Sequence, residues 1–305
     1  MSAIGFVLVT YQKPEQMLRL IRRLLASFPG APIVCHHDFG QLPLDLERFP
    51  PEVRFVRPHL ATAWGDFSVV RAFLSGLRLL YEPPDSPDWV VLLSGADYPI
   101  KSAARIVEEL TGGRYDVYMH HERIEPGAFG REWHRSCYRR YFGTTYTIPF
   151  LNRRLRPTTR SITIRTPRLR FFDRPFSGRF HCFAGEAWLS ASRKAVAYLL
   201  RQHSDSSPLA RRYERSFIPE ESYFHTLLGN APDLRIANDS KRYTDWSEGR
   251  RHPKTLTVAD LPRLLASDAH FARKFDPEVD SEVLDRLDEI TERTEITEIA
   301  ESAGR

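Results

Sequence analysis

Trp89-Val90-Val91-Leu92-Leu93 is an unbroken apolar run that stops at Ser94-Gly95-Ala96-Asp97-Tyr98-Pro99. A strand with no polar side has both faces covered, which is the condition of a parallel strand in a sheet packed between helices. Its neighbours in sequence repeat the theme. Ile4–Thr10, Pro32–Asp38, Arg54–Val56 and Tyr115–Met119 are strand-like. Between them, Pro14–Leu25, Phe67–Tyr81 and Arg105–Leu110 carry apolar residues at steps of three and four, the period of a helix with one buried face. Alternation of this kind predicts an α/β fold with a mostly parallel sheet flanked by helices. Ligands of such sheets bind beyond the carboxyl ends of the strands, and Asp38 and Asp97 each follow an apolar strand there. Neither GxGxxG nor GxxxxGK[ST] occurs, so a dinucleotide or P-loop site lacks its main signature.

Residues 123–180 break the pattern. Arginines, among them Arg131, Arg135, Arg139, Arg140 and Arg153, alternate with aromatic residues and show little periodicity, so the segment reads as an insertion. Order returns with a strand at Ala187–Ser190, a helix over Arg193–Arg201 and another from Pro219 to Leu228. The expected organisation is one domain over residues 1–290 and a charged tail over 291–305 that frays.

Composition narrows the class. Hydrophobic residues make up 42% and charged residues 27%, enough apolar material for a sizeable core. No apolar run is long enough to span a bilayer, and the opening strand lacks a basic leader, so no signal peptide is read. Cys35, Cys137 and Cys182 are far apart, which argues against a disulfide framework or structural zinc and for the cytoplasm as the expected compartment. The net charge of +5 rests on arginine more than lysine, and suits anionic substrates as well as nucleic acid. No nucleic-acid motif accompanies it, so nucleic acid is not an expected partner. The Arg-rich middle faces an anionic glycan, a lipid-linked acceptor, the inner face of a membrane, or simply solvent. His36-His37 and His120-His121 are adjacent pairs; neighbours on a strand point to opposite faces, so neither pair makes a metal site.

Several stretches together carry a resemblance. They are Lys13-Pro14-Glu15-Gln16, His36-His37-Asp38, Trp64–Ala72, Leu93–Lys101, Gly185–Ser190, Pro219–Leu228, His252–Thr257 and Phe271–Asp276. In this order they resemble the core-2/I-branching β-1,6-N-acetylglucosaminyltransferase family, with its peptide O-xylosyltransferase and plant glucuronosyltransferase relatives. The resemblance covers residues 4–290 and implies a GT-A-type fold and an inverting, metal-independent transfer from a UDP-sugar to a carbohydrate hydroxyl. N-Acetylglucosamine is the first expectation for the sugar, with xylose or glucuronate as alternatives; a non-catalytic carbohydrate- or nucleotide-binding relative is the competing reading.

The resemblance also implies roles. Glu221 is the catalytic base. Arg251 and Lys274 bind the diphosphate, with Arg250 and Lys254 close enough to exchange with Arg251. Asp38 and Trp64 line the nucleotide pocket. Glu186 and Trp188 meet the donor or acceptor sugar; Asp97, by its place after a buried strand rather than by the resemblance, either meets the sugar or caps the next turn. An Asp-x-Asp pair, which holds a divalent metal in many sugar transferases, is missing at Ser94-Gly95-Ala96-Asp97, so basic side chains take over the charge of the leaving group and no metal or other cofactor is expected.

Overall fold

The structure, a computed structural model, describes residues 3–127, 130–147, 163–166, 176, 178–249 and 252–303. In chain order the elements are β1 (Ile4–Thr10), α1 (Pro14–Ser27), β2 (Ile33–His37), β3 (Val53–Phe55), α2 (Phe67–Tyr81), β4 (Trp89–Ser94), β5 (Asp97–Pro99) and α3 (Ala103–Thr111). There follow β6 (Val117–Met119), β7 (Glu122–Ile124), α4 (Glu132–Phe142), β8 (Thr144–Thr147), β9 (Thr163–Thr166), β10 (Cys182–Ala184), β11 (Leu189–Ser192) and α5 (Arg193–Gln202). The chain continues with α6 (Pro208–Tyr213), α7 (Tyr223–Gly229), β12 (Ile236–Ala237), β13 (Arg242–Thr244), α8 (Leu261–Ala266), β14 (Phe271–Arg273) and α9 (Glu282–Ala303).

The central sheet has the order β12-β6-β11-β4-β1-β2-β3. All pairings are parallel except those of β11, which runs against both β4 and β6. The fold is therefore the expected mixed α/β architecture with a mainly parallel sheet. Alternation along β1 explains its two cores. Phe6 and Leu8 face a layer with Met17, Leu20, Phe271 and Leu284, whereas Val7 faces Phe73, Leu77 and Val196 on the other side. Because β11 is reversed, the residues that enter it, Glu186-Ala187-Trp188, lie at the same end as the residues that leave β1, β2 and β4.

A smaller sheet, β13-β14-β5, sits beyond that end; β13 and β14 are parallel and β5 is antiparallel to β14. Its strands are too short to show periodicity, and the sequence reading leaves them unassigned. α9 runs straight through residue 290, where a body was expected to end and a tail to begin. Its Val283, Leu284 and Leu287 are buried, and Glu295 and Glu298 accept hydrogen bonds from the start of α3, at Ala103 N and Ser102 Oγ. Arg19 and Arg23 of α1 pair with Asp285, Asp288 and Glu292 along the same helix. Much of the Arg-rich middle lies outside the described residues, but its first part forms β7 and α4.

Candidate active site

Pro219-Glu220-Glu221 forms one turn of 3-10 helix, separated from α7 by Ser222. The sequence reading joins the two into one helix; the break lets the turn face differently from α7. Three hydrogen bonds sew it to the segment before β11. Gly185 N donates to the Glu221 carbonyl at 2.9 Å, Ser222 Oγ to the Phe183 carbonyl at 2.6 Å, and His225 Nε2 to the Glu186 carbonyl at 2.8 Å. Gly185 is required by this approach, since a Cβ there would collide with the His120 carbonyl.

The two glutamates of the turn diverge. Glu220 is 8% exposed, its Oε2 has no hydrogen-bond partner among the described residues, and burial with the neighbouring Glu221 charge pushes its carboxyl up to about 8. Glu221 is half-buried and receives Arg140 Nη1 on Oε2 at 2.8 Å. Burial raises its carboxyl above the ordinary range and Glu186 adds to this, while Arg140 opposes both. Two adjacent carboxyls with different environments are what acid–base chemistry exploits. The geometry gives the inner one to the protein and the outer one to the site.

Opposite the turn lies a cluster of charge. Glu186 accepts from Ser240 Oγ at 3.2 Å and from Thr244 Oγ1 at 3.1 Å. It feels the buried guanidinium groups of Arg242 and Arg273. Arg273 lies over the Trp188 ring at 4.1 Å and Arg242 at 5.5 Å, a stacking geometry suited to cations on indole. Asp97 Oδ1 is 2.9 Å from Arg242 and 3.7 Å from Arg273. Its other oxygen takes the backbone N–H of Ser94 at 2.6 Å.

The structure thus brings Glu186, Trp188, Asp97 and Lys274 to one place and sets Glu221 beside them. Asp97, however, is fully enclosed and paired with buried arginines, so its carboxylate is not open to a ligand. Trp188 is also buried. Lys274 follows Arg273 directly. Burial and the Arg273 charge pull its ammonium below the ordinary lysine range, and no acidic side chain pairs with it among the described residues.

Asp38 and Trp64 lie on the segments that leave β2 and lead into α2. Asp38 is buried and satisfied, accepting from Gly40 N, Gln41 Nε2, Thr62 N and Thr62 Oγ1 at 2.6–3.0 Å, which holds its carboxyl down at about 2. It therefore shapes the loop that presents Trp64. Trp64 itself is 63% exposed, edge-on to Phe217 at 5.2 Å and to His252 at 6.1 Å. Gly65, at a positive φ of 75°, lets the loop pack on Phe217. Arg140 also lies over the Phe217 ring, at 6.0 Å, so one aromatic ring links the exposed indole to the cation that holds Glu221.

Arg251 and its neighbour Arg250 lie outside the described residues. Lys254, the other alternative, is committed to Asp260 at 2.7 Å. The first histidine pair is engaged by protein: His37 bonds Thr10 Oγ1 and the Leu42 carbonyl, and His36 Nε2 accepts from Leu60 N, while Nδ1 of His36 and of His120 have no hydrogen-bond partner among the described residues. Among the described residues no group of three His, Cys, Asp or Glu is placed to hold a metal ion, and no helix is long and apolar enough to cross a membrane. All three cysteines are free and buried.

Arg140 has no role in the sequence reading. It lies among many arginines, and its partner is distant in the chain. The spacing Trp133, Cys137, Tyr141 marks a helix with a buried face, and that signal would have placed Arg140 on α4.

Comparison with known proteins bears on this arrangement. The Core-2/I-Branching enzyme family model matches residues 37–265. The chain belongs to the Core-2/I-Branching enzyme family. That family is one of enzymes, and the relatives carry transferase names. Xylosyltransferase oxt of Drosophila melanogaster is 26% identical over 267 residues, covering 80% of this chain and 28% of that protein. Human xylosyltransferase 1 is 26% identical over 265 residues, covering 80% of this chain and 25% of that protein. Beta-glucuronosyltransferase GlcAT14A of Arabidopsis thaliana is 34% identical over 117 residues, covering 35% of this chain and 26% of that protein. The chain spans little more than a quarter of the length of these relatives. Among solved structures, mouse xyloside xylosyltransferase 1 superposes with a TM-score of 0.39 at 13% identity over 88% of this chain and 97% of that one. A likeness at that score has no bearing on function.

Proposed function

We propose that this chain is an inverting glycosyltransferase that works without a metal, moving a sugar from a UDP-sugar to a carbohydrate hydroxyl. N-Acetylglucosamine is the first choice of sugar, with xylose and glucuronate as the alternatives. The observation that carries the reading is Glu221: a half-buried carboxylate, held by Arg140 and close enough to Glu186 to feel its charge, with Glu186 in turn beside Arg242 and Arg273.

In this reading Glu221 takes the proton of the acceptor hydroxyl as its oxygen attacks the anomeric carbon. The bond from that carbon to the diphosphate oxygen breaks on the opposite face, which inverts the configuration. Lys274, with Arg251, meets the charge that develops on the departing UDP. Asp97, at the strand end where a metal-binding carboxylate would stand, is already paired with Arg242 and Arg273, which supports basic side chains rather than a cation as the counter-charge. Trp64 offers an exposed face for the uracil ring.

The test is UDP release from UDP-N-acetylglucosamine, UDP-xylose, UDP-glucose and UDP-glucuronate with EDTA present. Turnover of one donor despite the chelator is the expected result and names the sugar. Silence with all four, together with no UDP binding by calorimetry, would overturn the reading in favour of a non-catalytic relative.

A further inference from the structure

Of the arginines in the middle of the chain, Arg140 is set apart by its surroundings. Its side chain is 20% exposed and donates to Glu221 at 2.8 Å. The helix that carries it is pinned to the segment leading into Glu221. Tyr141 Oη donates to the Ile218 carbonyl at 2.9 Å, and Arg212 Nη2 donates to the carbonyl of Tyr141. Phe217, next to that anchor, forms the floor under the guanidinium. A side chain with Arg140's length would ordinarily sample many rotamers; here the Glu221 carboxylate and the Phe217 ring both engage its guanidinium.

We propose that Arg140 is the positioning residue of Glu221, fixing the orientation of its carboxylate and keeping it charged so that it can accept a proton. The proposal deepens the reading of Glu221 as the base and rests on it. It also gives α4, and with it the start of the Arg-rich segment, a place in the site that the family assignment does not supply.

Among the described residues, the charged and titratable groups around Glu221 are few. Arg140, Cys137 and Tyr141 face it from α4, Glu186 from the segment before β11, and Glu220 from its own turn. The thiol and phenol are buried and neutral near pH 7, since burial pushes Cys137 up to about 12 and Tyr141 well above its ordinary value. Glu186 favours protonation of Glu221, while Glu220 is itself pushed toward its neutral form by burial and by the Glu221 charge. Among these described groups, Arg140 is the one that favours the charged form, so its removal should show in the titration of Glu221.

The experiment is a direct titration of the full chain labelled with carbon-13 at the glutamate side-chain carboxyls. The Glu221 signal is identified by its loss in Glu221→Gln. In Arg140→Gln its midpoint should rise by one pH unit or more. In Arg140→Lys, which keeps the charge but loses the planar fork, it should rise part-way. Should the glutamine variant fail to fold, the lysine variant decides by whether the midpoint moves at all. An unmoved midpoint overturns the proposal. Failure of the base reading is seen separately: Glu221→Gln would keep its UDP release, whatever the titration shows.

Discussion

Asp97 and Arg242 meet at 2.9 Å with neither side chain reaching solvent, at 0% and 1% exposure. Arg242 also donates to the Leu92 carbonyl at 3.0 Å, tying β13 to the centre of β4. A buried charge stripped of its partner is costly, because its desolvation is no longer offset. Asp97→Asn should therefore lower unfolding stability by about 3–5 kcal/mol, read by urea titration with the slope unchanged. A change below 1 kcal/mol would mean that Arg242 finds another partner.

Glu221→Gln keeps the shape of the turn and removes the base. UDP release should fall by about 10²–10⁴-fold, while UDP affinity by calorimetry stays near that of the parent. Equal loss of both would point to a collapsed pocket rather than a missing proton acceptor.

Trp64 has its ring in solvent on a loop built by Asp38, so its truncation costs the fold little. Trp64→Ala should leave the thermal midpoint nearly unchanged. It should weaken UDP binding by about 0.5–1.5 kcal/mol, several-fold in the dissociation constant. Unaltered affinity would remove Trp64 from the nucleotide pocket.

Lys274 has an ammonium whose proton is loosened by burial and by Arg273. An arriving diphosphate stabilises the charged form and raises that pKa, so UDP binding should take up protons on the alkaline side of neutrality. Calorimetry in two buffers of different ionisation enthalpy measures the uptake. Lys274→Met should abolish it and weaken affinity by about 1.5–3 kcal/mol. Uptake that persists in the variant would assign the proton to another group.

Helix Phe67–Tyr81 is legible in the sequence because Val70, Phe73, Leu74 and Leu77 repeat at helical spacing behind an Asp66 cap. The parallel strands are legible because both their faces are buried. What stays hidden is non-local. Arg140 and Glu221 are 81 positions apart, and nothing in either neighbourhood announces the pair. Asp97 reads as a strand-end carboxylate open to ligand, and only the packing of β13 and β14 against β5 turns it into a counter-ion. Three-residue strands carry no period to detect. Glu221 is identified as the base through a resemblance; its difference in burial from Glu220 is a tertiary property that sequence does not display.

That difference yields the last prediction. Glu220 has its folded-state pKa raised to about 8, above the ordinary carboxyl value of 4.5. Between those values the folded chain binds a proton that the unfolded chain releases. Its contribution to stability is thus fully present below about pH 4.5 and is lost as pH rises through about 8. Glu220→Gln mimics the protonated acid and removes this dependence. The variant should match the parent near pH 4 and exceed it by at least about 1 kcal/mol at pH 8, measured by urea titration at each pH. Because Glu220 faces inward, the same variant should keep UDP release within a few-fold of the parent, whereas Glu221→Gln loses it. If Glu220→Gln were the inactive one and Glu221→Gln the active one, the base would be the inner carboxyl, and the turn would have to open toward the pocket for catalysis.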